Sequence, residues 1–178
     1  LEEAAAGFWA GAVVEPDEIY VALKRRLRDG VGVTVRLVQV DDLPGTLRQY
    51  DEARREILLS EALDHTNRIF QLTHMCGLLE QRALLDNLAA RSGITDPRGV
   101  ARLRVELANY FAAAVLMPYD TFLSEARASK YDFDHLATRF GVSFEQACHR
   151  ATTMQRDGAQ GVPFFFLRVD PAGNVGKR

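Results

Sequence analysis

A long helical stretch dominates the middle of this sequence. Residues 60–90 contain no proline and a single glycine, Gly77, and a run of this length is too long for a strand. Its apolar residues recur every three or four positions, which places them on one helix face: Ile69, Leu72, Cys76 and Leu79. Further helices are predicted at residues 97–116, 119–128, 133–140 and 144–154. The sequence therefore predicts a helical core.

The residues before this core favour strands. A helix predicted at residues 17–28 is followed by a β-branched run at 31–40, and two more strand-like segments lie at 47–50 and 56–59. Near the other end, residues 162–169 are predicted to form a buried strand, followed by a turn at 170–174. We therefore expect an α+β fold in which a small antiparallel sheet packs on the helical core.

Composition is that of an ordinary globular protein. The chain has 178 residues, 47% of them hydrophobic and 26% charged, which suits one domain. A net charge of -2 gives no overall basic excess of the kind that nucleic-acid binding favours. The two cysteines, Cys76 and Cys148, are far apart in sequence, which argues against a disulfide scaffold and favours a reducing cytoplasm. No segment has the roughly 18 consecutive apolar residues of a membrane span.

The first long helix carries one histidine, His74, in a zincin-like setting. Zincins place two histidines four residues apart on one helix face, with a glutamate after the first as general base. Here Met75 stands where the base would be, and Leu78 stands where the second histidine would be. Methionine cannot take a proton from a zinc-bound water, and leucine cannot ligate a metal. We therefore predict no catalytic residue and no metal site.

The next long helix extends this similarity. Residues 106–118 read ELANYFAAAVLMP, and residues 136–143 read LATRFGVS. Both segments resemble the IrrE-like metallopeptidase domain, and the resemblance covers roughly residues 53–154. It implies that Glu106 stands at a glutamate ligand position. Of the two histidines and two glutamates that the family uses, this chain then keeps one histidine and one glutamate. Glu106 then either pairs with His74 or is simply exposed, and the core is a degenerate zincin-like one.

A second resemblance covers nearly the whole chain. Residues 68–72, 110–118, 140–150 and 161–174 are similar to the short-chain fatty acyl transcriptional regulators of actinobacteria. The resemblance implies that residues 1–178 are one effector-binding domain fragment. Its parts are a helix with a small sheet at 1–60, a degenerate metallopeptidase-like helical core at 61–156, and a C-terminal strand region at 157–178.

The same resemblance implies cofactors and partners. The effector would be coenzyme A or an acyl-CoA, such as propionyl-CoA or acetyl-CoA. DNA would be bound by an N-terminal helix-turn-helix outside this chain, and the regulator would be a homodimer that meets no membrane. An iron–sulfur cluster would belong to a cysteine-rich part after Arg178, since two separated cysteines cannot hold it.

Five residues are candidate ligand contacts. An acyl-CoA needs cations for its phosphates, and Lys24, Arg26 and Arg54 belong to a basic group in the first third of the chain. Tyr110 would hydrogen-bond a thioester carbonyl, and His74 would line an inherited apolar cavity. Each has a plainer alternative. The cations would be a solvated face, Tyr110 a core aromatic, and His74 a hydrogen-bonded core histidine or a live metal ligand.

Two further segments also have alternatives. Residues 136–154 have the shape of a DNA-reading helix-turn-helix, but the second helix begins with few cations, so core packing is favoured. Residues 164–166, three phenylalanines, would form a buried strand or border the ligand pocket. For function, we expect the effector-sensing domain of a bacterial transcriptional regulator of short-chain fatty acid metabolism, and not an enzyme. The alternatives are a zinc-dependent peptidase with an unusual ligand set and a protein-interaction module.

Overall fold

The computed structural model describes residues 1–11 and 14–176, and the chain divides into two units, Leu1–Val115 and Leu116–Arg178. The α+β class is confirmed, because a small sheet accompanies many helices. The boundary between the units differs from the divisions predicted at residues 60 and 156. The assignment of the whole chain to a single effector domain stays a prediction. Among the described helices, none combines the length and the apolar character needed to cross a bilayer.

Three strands form the sheet of the first unit: β1 (Thr34–Val38), β2 (Arg48–Asp51) and β3 (Glu56–Ser60). Their spatial order is β1-β3-β2, with β2 and β3 antiparallel but β1 and β3 parallel. The sheet is therefore mixed, which corrects the expected antiparallel arrangement. The physical reason is that β2 runs back along the far side of β3, so β3 starts from the same end of the sheet as β1.

Helices α1 to α5 lie in the described part of this unit. They are α1 (Glu2–Ala6), α2 (Ile19–Val31), α3 (His65–Glu80), α4 (Arg82–Arg91) and α5 (Pro97–Leu116). The helix predicted at 60–90 is thus two helices, which part at Gln81, where the backbone leaves helical geometry. Asp64 fixes the start of α3, because its side chain accepts a hydrogen bond from the backbone N–H of Asn67 at 2.7 Å.

The close approach of α3 to α5 occurs at Gly77. A Cβ added there would lie 2.9 Å from Cδ1 of the buried Phe111 and 3.6 Å from Cα of Ala108. A side chain at this position would therefore clash with α5 unless the ring of Phe111 moved. Gly77, the single glycine of the predicted long helix, thus sets the spacing between two helices and does not interrupt either one.

The second unit contains three helices and two short strand pairs within its described residues. They are α6 (Tyr119–Ala128), α7 (Phe133–Phe140), α8 (Phe144–Thr152), β4 (Gln155–Arg156) with β5 (Ala159–Gln160), and β6 (Arg168–Val169) with β7 (Val175–Gly176). Leu136 of α7 and Ala147 of α8 are fully buried, in agreement with core packing of the helix-turn-helix-like segment. Arg150 is also fully buried, and its Nε donates to the Met117 carbonyl at 2.9 Å.

The buried strand predicted at residues 162–169 is wrong for residues 162–167, and the two remaining residues form the short, exposed strand β6. Residues 161–167 have no regular structure, and Phe165 is 83% exposed. The ring of Phe164 packs edge-on against Tyr131 at 5.1 Å, and Phe166 lies against His149. Pro163 has no backbone N–H to donate to a ladder, and no strand in the described residues pairs with this segment. The apolar run therefore packs as single side chains and not as a strand, whereas the predicted turn does lead into β7.

Candidate functional site

His74 is buried in the middle of α3, with 1% of its surface exposed. Its Nδ1 hydrogen-bonds with Nη1 of Arg48, and Nδ1 must accept, because a guanidinium has only donors. The imidazole proton is therefore on Nε2, which makes no hydrogen bond of normal geometry with any described residue. Burial, followed by the charge of Arg48, lowers the pKa of His74 to about 3, against a smaller opposing effect of the Val105 backbone. This histidine is neutral at neutral pH.

Arg48 reaches His74 from β2, which is an edge strand of the sheet. It stands opposite Leu59 of β3, and directly opposed residues share one face of a sheet. Arg48 therefore belongs to the face that buries Leu59. Burial lowers the pKa of Arg48 below its ordinary value. A partly buried guanidinium is usually paired with a carboxylate, but within residues 1–11 and 14–176 the side chain of Arg48 bonds with His74 alone.

The donor set around His74 does not fit a zinc ion. Met75 and Leu78 hold the positions of the base and the second histidine, and the guanidinium against Nδ1 would repel a divalent cation. Glu106 is exposed and pairs with Arg102 at 2.7 Å, so the exposed alternative applies. In the described part of the chain, no three His, Cys, Asp or Glu side chains are grouped to hold a metal. The residues around His74 therefore do not match the ligand set of a zincin.

A surface depression of about 250 Å³ lies where α3, α4 and α5 meet. It is lined by Leu78, Leu79, Arg82, Leu85, Asp86 and Arg104. Nε of Arg104 bonds with the Asp86 carboxylate at 2.6 Å. Leu78 is the residue that replaces a zincin histidine, and it is one helical turn from His74. His74 does not line this depression, and the apolar cavity expected around His74 stays a prediction.

Arg26, one of the predicted phosphate contacts, is held by the protein itself. Its Nε donates to both carboxylate oxygens of Glu80, at 2.8 and 2.9 Å, and its Nη1 donates to the Phe8 carbonyl at 2.8 Å. The guanidinium also lies over the Phe8 ring, 4.1 Å from its centroid. These contacts join α2, α3 and the segment after α1. A phosphate at Arg26 would have to compete with them.

Lys24 and Arg54 make weaker contacts. The amine of Lys24 lies 5.6 Å from the ring centroid of Tyr20, and Arg54 is 78% exposed, 3.7 Å from the Asp51 carboxylate. Within the described residues, neither side chain lines the depression or bonds with His74. Both remain accessible for an anion, and their role as ligand contacts stays a prediction.

Tyr110 joins α5 to the start of the chain. Its hydroxyl donates to Oε1 of Glu2 at 2.6 Å, across 108 residues of sequence. The side chain is half-buried. The structure therefore gives this hydroxyl a protein partner, and its contact with a thioester stays a prediction.

Sequence reasoning did not single out Arg48. The signal that could have found it is the strand at 47–50, where alternation places Arg48 and Tyr50 on one face. In an edge strand that faces a buried helix, an inward arginine marks a charge that must meet a specific partner. The sequence predicts the strand, but it does not say which of the two faces points toward the helices. That depends on the pairing of β2 with β3.

Burial raises the pKa of both cysteines. Cys76 on α3 is fully buried, and burial first, then nearby Glu80, raises its pKa. Burial is also the largest cause of the raised pKa of Cys148 on α8. Protonated thiols are poor nucleophiles and poor metal ligands. The iron–sulfur cluster implied by the resemblance stays a prediction for a region after Arg178.

Two family models match the chain. Residues 28–152 match the IrrE N-terminal-like domain, and residues 153–178 match the C-terminal model of the short-chain fatty acyl coenzyme A regulator. The first match includes the sheet, His74 and the depression. It ends with α8, and the second begins with the residues before β4.

Curated relatives of this chain are named as regulators. The HTH-type transcriptional regulator PrpR of Mycobacterium tuberculosis is 40% identical over 161 residues, 89% of this chain and 32% of that protein. The propionyl-CoA carboxylase regulator of Cereibacter sphaeroides is 39% identical over 180 residues, 100% of this chain and 37% of that protein. The chain thus spans about a third of the length of these relatives. A solved structure, a Mycobacterium tuberculosis transcriptional regulator, is 34% identical with a TM-score of 0.86, over 99% of this chain and 53% of that chain.

Proposed function

The chain belongs to the IrrE N-terminal-like domain family. From its similarity to named transcriptional regulators we propose that it is the effector-sensing part of such a regulator, which binds a short-chain acyl-CoA and cleaves no peptide. The observation that carries this proposal is the state of the zincin face of α3. His74 is neutral and bonded to a guanidinium, and Leu78 stands at the second ligand position. A zinc peptidase needs a metal-bound water and a base. On this face Leu78 cannot be the second zinc ligand, and Met75 cannot be the base.

The comparisons support the class of effector. The last 26 residues match a family described by short-chain fatty acyl coenzyme A, and a relative that is 39% identical is named for propionyl-CoA carboxylase. Because the chain spans about a third of these relatives, DNA binding would reside elsewhere in the full-length regulator. The regulator would be a cytoplasmic homodimer.

The acyl group would bind at the zincin face of α3. Leu78, Leu79 and Leu85 make the depression partly apolar, which suits a short acyl chain. The phosphates of coenzyme A need cations, which Lys24 and Arg54 would supply from accessible positions. Arg26 and Tyr110 would take part only by exchanging their present partners, Glu80 and Glu2, for the ligand.

Binding would change DNA affinity through a preference for one arrangement of the regulator. A ligand shifts an equilibrium only by the difference between its affinities for the two states. In this scheme the acyl-CoA binds one arrangement of the homodimer more tightly. The size of the transcriptional response then follows from that difference and not from the affinity alone.

Isothermal titration of the purified chain with propionyl-CoA, acetyl-CoA and free coenzyme A tests the proposal. We expect both acyl-CoAs to bind more tightly than coenzyme A. Leu78→Glu should remove this advantage by placing a charge in the depression, whereas Val21→Glu, on an exposed apolar position of α2, should retain it. The absence of binding at ligand concentrations up to about 1 mM would refute acyl-CoA sensing. A Kd of about 1 mM corresponds to a binding free energy of about −4 kcal/mol.

A further inference from the structure

One edge of the Arg48 guanidinium has no hydrogen-bond partner among the described residues. A guanidinium has two edges that can each form a pair of parallel hydrogen bonds with a carboxylate. Nη1 is engaged by Nδ1 of His74. Nε and Nη2, which form the other edge, make no hydrogen bond with any residue in 1–11 or 14–176. The side chain is only partly exposed, and neither atom is among the fully buried atoms that lack a partner, so an anion can reach this edge from solvent.

His74 fixes the direction of that edge. The imidazole is 1% exposed within α3, and it accepts from Nη1 while carrying its own proton on Nε2. A neutral, buried acceptor orients the guanidinium without neutralising it. A carboxylate side chain in the same place would have oriented it too, but would have cancelled its charge. The pair therefore keeps one full positive charge at the junction of β2 and α3.

We propose that Arg48, positioned by His74, is a binding site for one carboxylate group. The net charge of the pair is a single positive one, which matches a carboxylate, whereas phosphate groups are usually met by several cations. A charge that is partly removed from water costs free energy until an anion pairs with it. A bound carboxylate accepts from Nε and Nη2 and offsets that cost.

Within the proposed acyl-CoA function, on which this step rests, the site names a ligand class. Arg48 does not line the depression, but its partner His74 is one helical turn from Leu78, which does. The carboxylate would be carried by the acyl group, on a short chain that extends along this turn of α3 and bears a second acid function beside the thioester. An acyl chain of the same length without the acid would leave the charge of Arg48 unpaired. The sensor would then distinguish acyl-CoAs by that one charge, since hydrogen-bonding sites discriminate more sharply than apolar pockets do.

Isothermal titration of the full 178-residue chain with propionyl-CoA and methylmalonyl-CoA tests this inference, because the two ligands differ by one carboxylate. We expect methylmalonyl-CoA to bind at least tenfold more tightly. Arg48→Met should abolish that preference, and Arg48→Lys, which keeps the charge but loses the paired geometry, should reduce it. Arg36→Met removes an exposed arginine of β1 that pairs with Glu56 and should leave the preference unchanged. Circular dichroism of each variant verifies that it is folded.

Malonate and inorganic phosphate, titrated separately, distinguish the possible failures. If propionyl-CoA and methylmalonyl-CoA bind the native protein equally, the carboxylate site is refuted while acyl-CoA sensing stands. If neither acyl-CoA binds but malonate binds in a manner lost in Arg48→Met, acyl-CoA sensing is refuted and the carboxylate site stands. Tighter binding of phosphate than of malonate overturns the assignment to a carboxylate, as does the absence of any binding by all four ligands.

Discussion

Replacement of His74 by asparagine should make the folded protein less sensitive to acid. In the unfolded chain, this histidine has an ordinary pKa of 6.5, whereas in the folded protein burial, together with Arg48, lowers the pKa to about 3. As pH falls below 6.5, the unfolded state takes up a proton that the folded state does not. The contribution of neutral His74 to stability is therefore complete above pH 6.5 and is lost progressively as pH falls toward 3.

The size of the effect follows from these two values. One pH unit inside the window costs about 1.4 kcal/mol. Between pH 7.5 and pH 5.0, the loss attributable to His74 is about 2 kcal/mol. A native pKa anywhere below about 4 gives nearly the same loss at pH 5.0, because the proton uptake in that interval belongs almost wholly to the unfolded chain.

Urea unfolding at the two pH values measures this loss. The single tryptophan, Trp9, packs edge-on against Phe8 in the first unit and supplies the fluorescence signal. Asparagine keeps an acceptor for Arg48 but has no titratable group, so His74→Asn should lose about 2 kcal/mol less than the native protein between pH 7.5 and pH 5.0. His65→Asn, at an exposed position of the same helix, should lose as much as the native protein. Equal losses in His74→Asn and the native protein would mean that the histidine is not buried in its neutral form.

Three further predictions concern packing and metal content. Gly77→Val should lower the free energy of unfolding by about 2–3 kcal/mol, because a Cβ there lies 2.9 Å from the buried Phe111 ring. The control is Gly30→Ala, where no atom lies within 4 Å of the added Cβ. It should raise the free energy of unfolding by up to about 1 kcal/mol in the same urea titration. Arg150→Met should lower the stability of the second unit by about 2 kcal/mol, since a buried carbonyl loses its donor; an unchanged thermal midpoint in circular dichroism would contradict this role. Metal analysis of the purified protein should find far less than one zinc per chain, and stoichiometric zinc would restore the peptidase alternative.

Helices were the part of the fold that the sequence predicted best. The three helices after α5 follow from apolar spacing and from the turn residues between them. The long helix predicted from residue 60 begins only at His65, after the cap at Asp64. The break between α3 and α4 was missed because Gln81 carries no breaker signal. Gly77 does carry one, yet it lies inside α3, because its lack of a side chain serves packing.

Strand direction and strand existence were harder to predict. Alternation marked the three strands of the sheet but not the parallel pairing of β1 with β3, which depends on where the chain returns. Residues 162–169 have the composition of a strand, but a strand needs a pairing neighbour that composition does not specify. Apolar content alone therefore overestimated the β structure of the second unit.

The candidate site was predicted in part. The positions of His74, Met75 and Leu78 within α3 predict a helix face that does not fit zinc, and this stays a prediction; the structure adds that Nδ1 of His74 accepts a hydrogen bond from Arg48. Arg48 was not selected, because its importance arises from a contact between residues that are 26 positions apart. The burial of that contact is a property of tertiary structure, and the number of charged residues in the sequence does not reveal which of them is buried.

The contact between Gly77 and Phe111 bears on how a fold can change its chemistry. The two helices that carry the metal ligands of a zincin are held here by steric fit, through a ring of α5 resting on a glycine of α3. The two helices therefore need no shared metal ion to hold them together. Positions 75 and 78, where a zincin carries its base and its second histidine, therefore hold a methionine and a leucine in a pair of helices whose spacing is set by a glycine and a ring.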